Sequence, residues 1–96
     1  MNNPSLRIID AHTHIQFPEF NHDRREVISR AHAQGIGMIN VGTDLSSSQA
    51  AVALAQEYEA GVWATIGAHP HEISQNFDRE AFERLAQDPR VVGIGE

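Results

Sequence analysis

The chain has no cysteine, which excludes a disulfide framework, a thiolate zinc site and a cysteine nucleophile. It has no lysine either: seven arginines face thirteen Asp and Glu, for a formal net charge of -6. That balance argues against a broad basic face for capturing nucleic acid, and a polyanion partner would need a local device such as a metal ion. No apolar run approaches the roughly 20 residues that span a bilayer, and the stretch from Met1 to Arg7 lacks the apolar segment of a secretory signal. The expected setting is the cytoplasm, with no membrane contact, and nothing marks an obligate protein partner. GxGxxG, P-loop and GxSxG patterns are absent, so dinucleotide binding, NTP hydrolysis and serine-hydrolase chemistry have no support.

What is present is ordinary for one globular unit: 96 residues, 41% hydrophobic and 21% charged. Metal chemistry would have to use His and carboxylates. Of the six histidines, four form two tight pairs, His12/His14 and His69/His71, while His22 and His32 stand alone.

The order of segments sets where those pairs fall. Leu6 to Asp10 reads as a short aliphatic strand that Ala11 to Phe17 continue as a loop, with Pro18 as punctuation. Asp23 with Glu26 three residues on forms a capping-box pattern, and Val27, Ile28 and Ala31 recur at helical spacing until Gly35. Gly37 to Val41 is a second strand, followed by polar residues 43–48 rich in N-cap candidates and by Ala51, Leu54, Ala55 and Tyr58 at helical spacing, up to Gly61. Val62 to Ile66 is a third strand, and a third helix starts near Asp78, with Phe82, Leu85 and Ala86 on one face and Asp88-Pro89 ending it. Val91 to Ile94 is a fourth strand. Strand starts thus recur at intervals of about 25 to 31 residues, the size of a βαβ unit, which predicts an α/β fold with a parallel sheet and helices packed outside it. The units share no residue repeat, which argues against a solenoid.

Asp10-Ala11-His12-Thr13-His14 carries the strongest local chemistry. Side chains two apart on an extended segment point the same way, so both imidazoles can reach one divalent ion, with Asp10 as a candidate acceptor that orients a ligand. An isolated HxH pair is equally read as polar loop decoration. Its place at the C-terminal end of a strand opening a β/α series favours a site, because sites in such folds lie at that end. In Gly67-Ala68-His69-Pro70-His71-Glu72, Gly67 permits a tight exit from the strand and Pro70 stiffens the loop, so His69 and His71 could bind a phosphate or a polarised carbonyl. Glu96 follows the fourth strand. A carboxylate there can bridge two ions, chemistry that makes water a nucleophile at neutral pH, although a chain-terminal glutamate is more often simply solvated. His22 and His32 read as surface or packing residues, Trp63 as core, and Asp44 as either a site residue or a helix cap.

With these residues in place, the sequence resembles the TatD family of metal-dependent deoxyribonucleases, within the metal-dependent hydrolases built on TIM-type barrels. The resemblance rests on Ile8 to Ile15, on Val41-Gly42-Thr43-Asp44, on Ile66-Gly67-Ala68-His69-Pro70-His71 and on Val92-Gly93-Ile94-Gly95-Glu96, in order from residue 6 to residue 96. It implies that His12 and His14 ligate one divalent cation, that Glu96 is catalytic and shares a second, and that His69 and His71 face the substrate. Two divalent cations (Mg, Mn or Zn) and DNA as substrate follow from the same likeness. Gln16 is a local departure, since the family usually carries Asp or Asn there.

A closed (β/α)8 barrel takes about 250 residues. Four strands and three helices are the first half of one, so residues 1–96 are expected to form the N-terminal portion of a single barrel domain, with the C-terminal half beyond this chain, where the resemblance implies two further His and an Asp. The expected function of the complete form is cleavage of phosphodiester bonds by metal-activated water, while the segment by itself is expected to be incomplete and inactive. A related barrel hydrolase acting on an amide, a lactone or an aminoacyl ester is the nearest alternative, and a truncated non-catalytic metal-binding module is a third.

Overall fold

Alternation of burial along the third strand shows how the sheet is dressed: Val62, Ala64 and Ile66 are buried, and Trp63 and Thr65 between them are only half-buried. One face therefore lies under helices and the other does not, as expected where helices follow strands in a parallel sheet. The computed structural model describes residues 5–70 and 77–95. The elements run β1 (Ile8–Thr13), α1 (Arg24–Ala33), β2 (Ile36–Val41), α2 (Leu45–Gln56), β3 (Val62–Ile66), α3 (Arg79–Leu85) and β4 (Val91–Ile94), with a 3-10 turn at Pro18–Phe20 between β1 and α1. The four strands are all parallel and lie in chain order, β1-β2-β3-β4.

Two apolar clusters sit beneath the helices. Ile15, Ile28, Met38, Leu54, Ala55 and Val62 form the first, with Phe20, Val27, Ala31 and Tyr58 at its margin; Ala51, Val52, Ala64 and Ile66 form the second, with Phe82, Leu85 and Val91 around it. Helix α2 contributes to both, which makes it the central prop of the sheet. Burying a side chain such as Ile28 contributes about 1.5–3 kcal/mol. At the end of β2 the prop comes very close: a Cβ on Gly42 would lie 2.6 Å from Ser48 Cα. Only glycine admits α2 there.

The edge strands are bare by comparison. Ile8 on β1 is 63% exposed and Ile94 on β4 is 78% exposed, the positions at which further strands and helices would cover a closing barrel.

Three local expectations from the sequence are corrected. The capping box forms not at Asp23/Glu26 but at the start of α2, where Asp44 accepts from the Ser47 N–H at 2.8 Å and Ser47 in turn bonds the Asp44 N–H at 3.1 Å. Asp23 makes no side-chain cap, because at φ -135° and ψ 11° it lacks the extended geometry an N-cap needs, and Glu26 pairs with Arg30 instead. Trp63 is not core but half-buried, alternating with the buried Val62 and Ala64 and lying close to Gly37 on the face away from the helices. Helix α2 ends at Gln56, and Tyr58 packs on the core from just beyond it. His32 proves to be a packing residue: its Nε2 bonds the Gly61 carbonyl at 3.2 Å and its ring meets Tyr58 edge-on. His22 is surface-exposed, 4.0 Å from the Asp23 carboxylate.

Candidate metal and substrate site

Strand β1 runs through His12 and stops at Thr13, so His14 is the first residue past its end. Two residues apart, the rings come together as expected, 5.1 Å between centroids and 83° between planes. Two nitrogens on one ion, each at about 2.0–2.1 Å, lie roughly 3–3.5 Å apart, a separation open to rings so placed.

His14 is oriented by the neighbouring strand. Its Nδ1 lies 2.8 Å from the Val41 carbonyl oxygen. A carbonyl only accepts, so Nδ1 carries the proton, the kind of bond that orients a metal-ligating imidazole. Phe17 stacks on the same ring, with centroids 4.6 Å apart and planes at 23°. The donor chemistry of this pair therefore fits a divalent cation. The Asp10 carboxylate accepts from the His12 main-chain N–H at 3.2 Å, which shapes the backbone of the pair.

The loop after His14 is stitched down on both sides. Asn40, fully buried in β2, accepts through Oδ1 from the Thr13 hydroxyl at 2.6 Å and from the Ile15 N–H at 3.0 Å. From α1, the Arg24 guanidinium donates to the carbonyls of Ile15 at 2.7 Å and Phe17 at 2.9 Å, and to Asn21 Oδ1 at 2.7 Å. Neither residue stood out in the sequence. Arg24 carried a legible sign, however: a cation in the first turn of a helix opposes the helix dipole, so its presence calls for another reason. Gln16 is buried and donates through Nε2 to the Val41 carbonyl at 2.9 Å, sharing that acceptor with His14.

The third-strand loop arrives at the same end of the sheet. The His69 main-chain N–H donates to the Thr43 carbonyl at 2.7 Å, and the buried Ser48 hydroxyl lies 3.2 Å from the Gly67 N–H and 3.3 Å from its carbonyl. The reason for glycine at 67 is close approach: a Cβ there would stand 2.7 Å from the Gly95 carbonyl oxygen. Gly95 also donates to Ile66 at 2.9 Å, so the end of β4 sits against the start of the His69 loop. Asp44, read from the sequence as either a site residue or a helix cap, caps α2. His71 and Glu96 lie outside the described residues. Among the described residues no group of three or more His, Asp or Glu could hold a metal ion, so His12 and His14 are the candidate ligands the structure brings together.

Parallel strands in chain order, helices on one face and histidine loops at the C-terminal strand ends define the opening part of a TIM-type (β/α)8 barrel. The TatD related DNase family matches residues 9–96, and the chain belongs to that family. Similar proteins include the 3'-5' ssDNA/RNA exonuclease TatD of Cronobacter turicensis, 44% identical over 92 residues, that of Enterobacter lignolyticus, 43% over 93, and that of Klebsiella pneumoniae, 40% over 92. In each case the match covers 93% of this chain and 35% of the relative, so the chain spans about a third of their length.

Proposed function

We propose that the complete protein to which these residues belong is a divalent-cation-dependent hydrolase that cleaves phosphodiester bonds of nucleic acid, acting in the cytoplasm, and that residues 1–96 are the N-terminal portion of its single barrel domain. The observation that carries this reading is the His12/His14 pair at a strand end, with the His14 ring held through Nδ1 on the Val41 carbonyl. In it, His12 and His14 hold the first cation and Glu96 shares it with a second. His69 and His71 donate to the phosphate. The relatives named as single-strand DNA/RNA exonucleases support a substrate of that class, trimmed from its 3' end.

The cations, Mg, Mn or Zn, would supply a water nucleophile at neutral pH and offset the repulsion between a chain of net charge -6 and a polyanion. The protein's own part is to orient the His14 ring through the Val41 carbonyl and to hold its loop rigid through Arg24 and Asn40. The exposed aliphatics of both edge strands weigh against a free-standing metal-binding module, because such edges need covering. The isolated segment is expected to lack activity.

The test uses the complete protein with 5'-labelled single-stranded DNA and RNA, with EDTA and with added Mg, Mn or Zn. Cation-dependent shortening from the 3' end is expected, with a loss of at least 100-fold in His12→Ala and His14→Ala. Full nucleolytic activity in both variants would remove the assignment, and turnover confined to amide, lactone or aminoacyl ester substrates would move it to another branch of barrel hydrolases.

A further inference from the structure

We propose that Gln16 is a positioning residue for the first cation site, acting through the Val41 carbonyl to hold His14 in its Nδ1–H form; the proposal rests on reading His12 and His14 as cation ligands. A carbonyl oxygen has two lone pairs, and that of Val41 meets two donors, His14 Nδ1 at 2.8 Å and Gln16 Nε2 at 2.9 Å. The two bonds share one oxygen, so the Gln16 amide fixes the direction of the peptide group against which His14 is set. The orientation of that amide is unambiguous, because its nitrogen lies between two acceptors, the carbonyls of Val41 and of Ser47, the latter at 3.4 Å.

The cost of this arrangement points the same way. Gln16 is 6% exposed, and its Oε1 is buried with no hydrogen-bond partner among the described residues. An unpaired buried acceptor is unfavourable, and an apolar side chain of the same shape would avoid it. A position that keeps the amide despite an orphaned oxygen is one where the donor is needed. The backbone is fixed as well: Arg24 donates to the Gln16 carbonyl at 3.3 Å and to the carbonyls on either side of it. Groups that orient a metal-bound imidazole in this manner change metal affinity by about 10–100-fold when removed.

Gln16→Met keeps the length and volume of the side chain and removes the donor. In the complete protein, titrated with Co2+ and followed by visible absorption, this variant is expected to bind the first cation about 10-fold more weakly than wild type at unchanged stoichiometry. His14→Ala serves as the reference for loss of the site. Co2+ affinity of Gln16→Met within 2-fold of wild type, while His14→Ala loses the site, overturns the role of Gln16 and leaves the ligand reading standing. Unchanged Co2+ binding in both His12→Ala and His14→Ala overturns the ligand reading itself, and the proposal with it. A measurement on the wild type needs no variant to fold: the 15N shifts of His14 in metal-free protein are expected to report a protonated Nδ1, and an Nε2–H ring overturns the proposal.

Discussion

Side chains fasten the loop after β1, where Arg24, Asn40 and Gln16 reach its backbone and that of β2. The loop after β3 is fastened, among the described residues, largely by main-chain closeness: Gly67 against Gly95 and the His69 N–H on the Thr43 carbonyl, with the Ser48 hydroxyl on Gly67 as a side-chain tie. Both loops present histidine at the same end of the sheet, but they answer to different physics. The first depends on directional donors that a truncation deletes. The second depends on space that an added methyl group consumes.

That contrast can be broken or sharpened by substitution. The largest effect is expected from Gly67→Ala, whose Cβ would stand 2.7 Å from the Gly95 carbonyl oxygen, a backbone atom with little room to yield. A destabilisation of about 2–3 kcal/mol is expected from overpacking, read as a lower urea midpoint. Co2+ affinity at the first site should hardly move, because the bonds around His14 are untouched. A large loss of affinity in this variant would erase the distinction between the two loops.

Next comes Arg24→Ala, which leaves the carbonyls of Ile15 and Phe17 without their guanidinium donor. A loss of about 2 kcal/mol is expected, accompanied this time by weaker Co2+ binding, since the loop that carries Gln16 and Phe17 loosens. Arg24→Lys should restore only part of either, because an ammonium lacks the planar fork that serves several acceptors at once. Full rescue by lysine would mean that charge, not geometry, holds the loop.

The smallest effect concerns the β3–β4 side, where a side-chain tie does exist. The Arg90 backbone N–H and then the Gln56 amide donate to the Asp88 carboxylate, holding it below its ordinary value of 3.8. A depressed folded-state value contributes stability that is present above the unfolded value and lost as pH falls through the folded one. The difference in urea midpoint between wild type and Asp88→Asn should therefore be constant above about pH 5 and shrink on acidification through the pH 4 to 3 range. A difference that widened there would reverse the sign of the tie.

Much of this was legible in the sequence. Short aliphatic runs and helical spacing placed all four strands and three helices, because the strands are aliphatic whether buried, as in β2 and β3, or bare at the edges, and the helices lay apolar residues on the sheet. The convergence of His12, His14 and His69 at one end followed from the same order. What stayed hidden depends on three-dimensional reach: Asn40 and Gln16 look like ordinary polar residues until β1 and β2 are paired. The Val41 carbonyl has no side-chain signature at all. The misassigned capping box at Asp23 shows the limit of spacing rules, since Asp-x-x-Glu fits the pattern while the backbone angles at Asp23 do not. Gly67 was correctly singled out, though for the wrong reason: its lack of a Cβ matters to Gly95 rather than to the exit from the strand.

Strand order has a further consequence, for how the molecule comes into being. Each strand lies beside the one made just before it, and the ties described above around the first histidine pair reach no more than 31 residues along the chain. Loops of that size close at modest entropic expense. Synthesis delivers roughly 5–20 residues per second, so β1 and β2 can meet within seconds of leaving the ribosome. The seat of His14 can then be built while β3 and β4 have yet to be translated, and the geometry of the histidine pair becomes an early event in folding rather than its last.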